Sequence, residues 1–366
     1  MYPKQYFQGI ATLTGCVIGA GILGIPYVVQ KSGFWTGMVV LISLGLAMLL
    51  IHIMIGDIAM ESKKCSQLVG HARHLLGKKG MILMLVSMVV GIYGAMVAYT
   101  IGVGSSLAAL LGGSAFVWGM VFYCIMAVIV IGGVSALGNS ETWLEGFKYL
   151  ALILIFVMLF VAPQFSTDNF TGFVPGNLMI PYGVILFSYI GTAAVLELCE
   201  EMRNCKKFVR RAIVVGSLIP LIAYVLFTVG IIGVLGKGTT EMATLGITTI
   251  FGAKGAILFH IFAILAMATS FIALAFALKE AFWKDLGIPH LASWGLTLIV
   301  PLGIITTGVR SFVGTLDTSG AIAGGIVGIL VVLMHAKTHK LTSSKGIMYA
   351  ALIILFGLGM LYQLFG

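Results

Sequence analysis

Two short stretches of this sequence hold residue types that can bind a solute without a charged side chain. The first is Gly15-Cys-Val-Ile-Gly19-Ala-Gly21-Ile-Leu-Gly24-Ile-Pro26; the second is Pro181-Tyr-Gly183 followed by Phe187-Ser-Tyr-Ile-Gly191-Thr192. Both lie inside long apolar runs. A glycine in a helix interior costs about 1 kcal/mol against alanine and a proline about 3 kcal/mol, so these clusters predict backbone that leaves the helix. Unwound backbone at membrane depth is tolerated only where it lines a cavity or is buried in protein. Its bare N–H groups attract anions and its bare carbonyls attract cations. The competing explanation is close helix packing through small residues, which is how Gly102, Gly104, Gly112 and Gly113 are read.

Few ionisable side chains accompany these stretches. Glu197, on the inner half of the sixth run, is the proton-coupling candidate, because an intramembrane carboxylate is a functional hypothesis by default. The alternative for it is a structural ion pair with Lys148 or Arg203. Asp57 and His52 read as pairing or snorkelling near the inner end of the second run. His260 reads as a satisfied helix-face histidine, and Arg310 with Asp317 as a gate or an ordinary exposed pair. Lys148 opens the fifth run, where its ammonium could replace a bound cation, but the position reads as too shallow. Cys16, Cys65, Cys124, Cys199 and Cys205 each fall in a helix or on the inner side, where disulfides rarely persist, and Cys199 with Cys205 lacks CxxC spacing and a nearby His, so neither a disulfide nor a metal site is expected.

The elements that must position these groups are membrane helices. Of 366 residues, 60% are hydrophobic and only 9% charged, with mean hydropathy +1.12; a soluble domain carries roughly 25% charged residues. Eleven apolar runs are long enough to cross a hydrocarbon core, near 7–30, 34–60, 81–111, 116–136, 146–162, 178–198, 212–235, 254–280, 290–308, 317–336 and 345–365. They lack the alternation of barrel strands. With the N-terminus inside, all but four of the 21 Lys and Arg fall in inner segments; Lys31, Lys237, Lys254 and Arg310 remain outside. The net charge of +9 is therefore a topology signal and not a nucleic-acid footprint. Residues 61–80 read as a short amphipathic helix on the inner surface, and MYPKQYFQ leads into a retained first span.

The interrupted first and sixth runs are five spans apart, so they occupy matching places in two five-helix halves. An odd span count per half makes the second half enter from the opposite side. Interrupted segments at matching positions of inverted halves point to a midplane solute site. The expected fold is an all-α integral membrane protein of about eleven transmembrane helices, a 5+5 inverted repeat with helices 1 and 6 discontinuous and one extra C-terminal helix. The expected units are 1–162, 163–336 and 337–366.

Four motifs in order carry a resemblance. They are GCVIGAGILGIPYVVQKSGF, AAVLELCEEMRNCKKFVRRAI, GSLIPLIAYVLF and TSFIALAFALKEAF. Together they resemble the amino acid/auxin permease family of the amino acid–polyamine–organocation superfamily, with its leucine-transporter-like fold. Leu196 and Cys205 stand where that family usually has proline. The resemblance implies a cation-coupled, alternating-access carrier of a neutral amino acid. Amides of Gly19, Ala20 and Gly21, beside Ile22, would hold the carboxylate, with Tyr99 in reach. Carbonyls of Val17 and Phe187, with Ser188, Tyr189 and Thr192, would receive the ammonium and shape the pocket.

Sodium-coupled relatives of this fold bridge helices 1 and 8 with the ion. The matching residues are Gly15 and Ile18 with Ala266, Thr269 and Ser270, which narrowly favours sodium over a proton; beyond a possible bound sodium ion no cofactor is expected. The alternative for Thr269 and Ser270 is a hydrogen bond back to their own helix. The expected partners are an amino acid and the lipid bilayer, with no nucleic acid and oligomeric state open. The expected setting is the plasma membrane, N-terminus cytoplasmic and C-terminus outside. No HExxH, GxSxG or P-loop string supports an enzyme, and no continuous polar pore supports a channel. A transporter-like amino-acid sensor without net transport is the alternative.

Overall fold

The computed structural model describes residues 2–62, 67–132, 140–339 and 342–365, and every element among them is helical. Lys63, Lys64, Cys65, Lys340 and the end of the fourth run lie outside the described residues.

The first run is two helices, α1 (Lys4–Val17) and α2 (Ile25–Ser32), the latter opened by Pro26 in its first turn. Proline is at home there because the first amides of a helix have no partner to lose. The continuous α3 (Phe34–Glu61) and α4 (Leu68–Leu111) follow, then α5 (Ala115–Gly132) and α6 (Ser140–Val161). The sixth run is again two helices, α7 (Tyr182–Tyr189) and α8 (Thr192–Glu201). Beyond it come α9 (Lys206–Leu235), α10 (Ala243–Glu280) and α11 (His290–Thr306). The tenth run holds α12 (Phe312–Ser319) and α13 (Gly325–Thr338), joined by a π-helical turn, Gly320–Gly324. The last is α14 (Ser343–Phe365).

Seven helical stretches among the described residues are long and apolar enough to cross a membrane, and the described apolar parts of α5, α6 and α11 are shorter. Large apolar side chains such as Val128, Ile153, Ile299 and Ile347 are exposed on the surface of the bundle, the arrangement a lipid-facing surface requires. The surface segment expected at 61–80 corresponds to the start of α4, where Gly77 (φ 77°) breaks the path before the long span. Gly252 (φ 67°) makes a matching break inside α10. Only glycine takes these backbone angles without strain.

The broken helices form the centre. Helix α1 packs on α8 and α9, and α7 packs on α12 and on the π turn. Helices α3, α4 and α10 close round them. Close approach explains several small residues: a Cβ on Gly320 would fall 2.1 Å from the Gly183 carbonyl, and one on Gly104 would fall 2.2 Å from that of Ala115.

Candidate functional site

Helix α1 ends at Val17, and Ile18 (φ −75°, ψ 76°) and Gly19 (φ −112°, ψ −150°) carry the chain away from the helix. A 3-10 turn, Ala20–Leu23, then leads through Gly24 into α2. The amides of Ala20 and Gly21 open that turn and have no intrahelical partner. The Gly19 amide differs from expectation, because it folds back to donate to the Val17 carbonyl at 2.7 Å. All of Val17, Ile18, Gly19, Ala20, Gly21 and Ile22 are buried.

The sixth run breaks at Ile190 (φ −66°, ψ 112°) and Gly191 (φ −137°, ψ 24°). The two interruptions meet. A Cβ placed on Gly21 would lie 2.2 Å from Ser188 Oγ and 2.8 Å from Ser188 Cα, so only glycine permits this approach. A Cβ on Gly191 would lie 2.5 Å from Val17 Cγ2. Thr192 opens α8 half-buried beside this contact.

A residue that sequence reasoning missed joins the two. Tyr224 of α9 is fully buried, and its hydroxyl lies 2.5 Å from the Val17 carbonyl and 2.8 Å from that of Ser188. The expected acceptor on the second segment was the Phe187 carbonyl; it is taken instead by the Ile190 amide at 3.1 Å. The Ser188 hydroxyl donates back to Val184 at 2.7 Å, and Phe187 itself backs onto Gly320. Tyr189 turns its hydroxyl toward the Leu41 carbonyl of α3 at 3.3 Å while its ring lies 5.1 Å from that of Tyr224. Tyr99 is buried in α4. His52, expected near the inner membrane end, instead packs against the second break. It is 2% exposed, and its Cε1 would lie 3.5 Å from a Cβ on Gly191. Its Nδ1 pairs with Ser217 of α9 at 3.0 Å.

The residues expected to cage sodium have a lysine ammonium among them. The Gly15 carbonyl accepts a hydrogen bond from Lys148 Nζ at 3.0 Å. Lys148 is 1% exposed, so the expectation that it is too shallow is corrected. Helix α6 begins at Ser140, eight residues before it, which places Lys148 about 12 Å along the helix axis. Thr269 donates its hydroxyl hydrogen back to the Leu265 carbonyl of its own helix at 3.0 Å. Ser270 packs against Gly19, where a Cβ would lie 3.1 Å from its Oγ, and Ala266 is wholly buried. An ammonium therefore already stands at the carbonyl that the ion would need.

Other candidates lie elsewhere. Glu197 is on the exposed face of α8, more than a turn past the break. Arg310 and Asp317 do not pair: the guanidinium bonds the Ile305 and Val309 carbonyls and lies over Phe116, while Asp317 sits at the start of α7 beside Gly183. His260 pairs with Thr248 at 2.8 Å.

The sequence matches the tryptophan/tyrosine permease family over residues 3–362. The chain belongs to that family. This replaces the amino acid/auxin family name suggested by the motifs, and makes the chain an integral membrane permease rather than an enzyme. Among similar proteins, a glutamine transporter 2 of Aliivibrio fischeri is 20% identical over 380 aligned positions, spanning 97% of each chain. The tyrosine-specific transport system 1 of Haemophilus influenzae is 25% identical over 289 positions, covering 73% of this permease and 70% of that protein. Among solved structures, MhsT in complex with L-phenylalanine superposes with TM-score 0.72 at 14% identity, over 99% of this chain and 98% of that one. A manganese transporter mutant of Eremococcus coleocola superposes with TM-score 0.69 at 11% identity, over 99% and 88%. The permease therefore has the leucine-transporter-like fold.

Proposed function

We propose that this permease is a secondary transporter that carries a neutral amino acid by alternating access and is driven by a proton. The observation that carries the reading is the meeting of two interrupted helices at Gly21 and Ser188, with carbonyls of both reached by one hydroxyl. A zwitterion needs donors and acceptors a few ångströms apart in a dry site, because an unpaired charge is costly to bury. The amides of Ala20 and Gly21 supply donors for a carboxylate. The carbonyls of Val17 and Ser188 supply acceptors for an ammonium, once Tyr224 gives them up. Tyrosine, tryptophan and phenylalanine are the first substrates to test, because the surroundings include Tyr99, Phe187 and Tyr189 and because relatives are named for tyrosine and glutamine.

The placement of Lys148 supports a proton over sodium. Its ammonium fills the role of a cation at the Gly15 carbonyl, so the chain itself supplies the charge that a sodium ion would bring there. The chain is read as two inverted halves, 1–162 and 163–336, with 337–366 as an added helix. The matching glycine breaks before the third and eighth spans support this division. The permease is further read as lying in the plasma membrane with its N-terminus inside, which rests on the distribution of Lys and Arg.

The test is uptake of radiolabelled amino acids into proteoliposomes under imposed gradients. A proton gradient alone should drive saturable accumulation, sodium substitution should change nothing, and Lys148→Gln should abolish accumulation while leaving solute exchange. Accumulation that requires sodium and survives Lys148→Gln would overturn the coupling assignment. Binding without flux would favour the sensor reading instead.

A further inference from the structure

Two pairs of ligand-bearing residues face each other where α3 and α13 end. Asp57 and Glu61 stand one helical turn apart on α3, and His335 and His339 stand one turn apart at the end of α13. His335 Nε2 lies 3.5 Å from Asp57 Oδ2, and His339 Nε2 lies 3.4 Å from Glu61 Oε1. The two imidazoles are stacked, with centroids 4.0 Å apart and planes 14° apart. Ligand atoms of Asp57, His335 and His339 all lie within 4.8 Å of one another.

The far sides of both rings are fixed. His335 Nδ1 pairs with the Tyr349 hydroxyl of α14 at 2.6 Å, and His339 Nδ1 pairs with Thr338 Oγ1 at 2.9 Å. Both Nε2 atoms are thereby turned toward the carboxylates, the outer-shell arrangement that orients histidine ligands on metals. His335 is 5% exposed, yet its Nε2 makes no hydrogen bond. A charged N–H···O bond would draw the pair to about 2.7–2.9 Å. The observed 3.4–3.5 Å separations are instead close to the edge of a tetrahedron of ligands about 2.0–2.1 Å from a zinc ion, an edge of about 3.4 Å.

We propose that Asp57, His335 and His339, with Glu61 as a fourth ligand, form a binding site for a divalent transition ion of the zinc class. Imidazole with carboxylate suits such ions, whereas magnesium and calcium take oxygen ligands. Asp57 and His339 keep side-chain exposures of 31% and 21%, which leaves room for the small rotations that close the shell. A surface hollow lined by Asp57, Met60, Lys206 and Arg210 reaches Asp57 from solvent and gives an entry path. Arg210 faces Asp57 and opposes a cation there, while the second carboxylate offsets it. Lys337, beside the site in sequence, is directed to the Leu75 carbonyl instead. An ion held by both pairs would tie the end of α3 to that of α13, and would restrain any movement between those helices.

The proposal is independent of the transport reading. The test is titration of the purified, chelator-stripped full chain, free of any affinity tag, with zinc against a chromophoric chelator, and with cobalt followed by its visible absorption. One zinc per chain at micromolar affinity or tighter is expected, with a tetrahedral cobalt spectrum. His339→Ala and Asp57→Asn should each weaken binding at least tenfold, and Glu61→Gln by less. His339→Ala lies at the helix end and should retain amino-acid uptake measured in chelator, which separates loss of the site from loss of fold. The absence of stoichiometric binding, or binding of equal strength in the His339→Ala and Asp57→Asn variants, would overturn the proposal.

Discussion

The two interruptions at the centre of the permease are built differently. The first leaves α-helix for seven residues, from Ile18 to Gly24, and includes a complete 3-10 turn. The second lasts only through Ile190 and Gly191 before α8 begins. The long break can present both donors and acceptors, because it has an end of α1 and a fresh helical start within one loop. The short break presents mainly the last carbonyls of α7, and Ile190 already covers one of them. The first segment should therefore dominate binding, and the second should shape and seal it.

That asymmetry can be broken by substitution. Gly21→Leu should abolish uptake, at least a hundredfold down with surface expression intact, because its side chain would enter Ser188. Wild-type transport by this variant would remove the assigned site. Gly191→Ala meets side-chain ends of Val17, Leu13 and His52 and no backbone, so uptake should fall three- to tenfold; a loss as deep as that of Gly21→Leu would mean that the breaks contribute equally. Tyr224→Phe leaves the Val17 and Ser188 carbonyls without their shared donor. An unmet buried polar group costs about 1–3 kcal/mol, so the variant should lose thermal stability without substrate and regain more than the parent when substrate is added. A melting curve that substrate shifts equally in both proteins would separate the hydroxyl from the binding site. The smallest effect is expected for Glu197→Gln, below twofold in proton-driven uptake, because that carboxyl lies on the exposed face of α8. A large loss there would return the proton to helix α8 and take it from Lys148.

The first break was legible because its cause is local: four glycines and a proline within twelve residues signal lost helix whatever packs around them. The second was weaker, since Ser188 to Gly191 carries one glycine and no proline. What was not legible depends on distant partners. Tyr224 looks like any tyrosine in an apolar run until Val17, 207 positions away, is folded against it. His52 looked like a residue near a membrane end because sequence gives position along a helix and not the face it turns inward. Lys148 was misjudged for a physical reason: the apolar run starts at about 146, but the helix starts at Ser140, so the residue sits deeper than hydropathy suggests. The Asp57–His335 juxtaposition likewise joins opposite ends of the chain, and no spacing rule reports it.

Proton counting at Tyr224 has a consequence for selectivity. A phenol owns a single hydrogen, so of the two peptide oxygens it approaches it serves one at a time, while the Val17 oxygen also keeps the Gly19 amide. A primary ammonium brings three hydrogens and can serve both oxygens together. Exchange of the phenol for the amine thus offers these oxygens more hydrogens than the phenol did, whereas a hydroxy acid, with one hydrogen of its own, offers no more. Discrimination between amino acids and their hydroxy analogues would follow from that count alone, before any side chain is read.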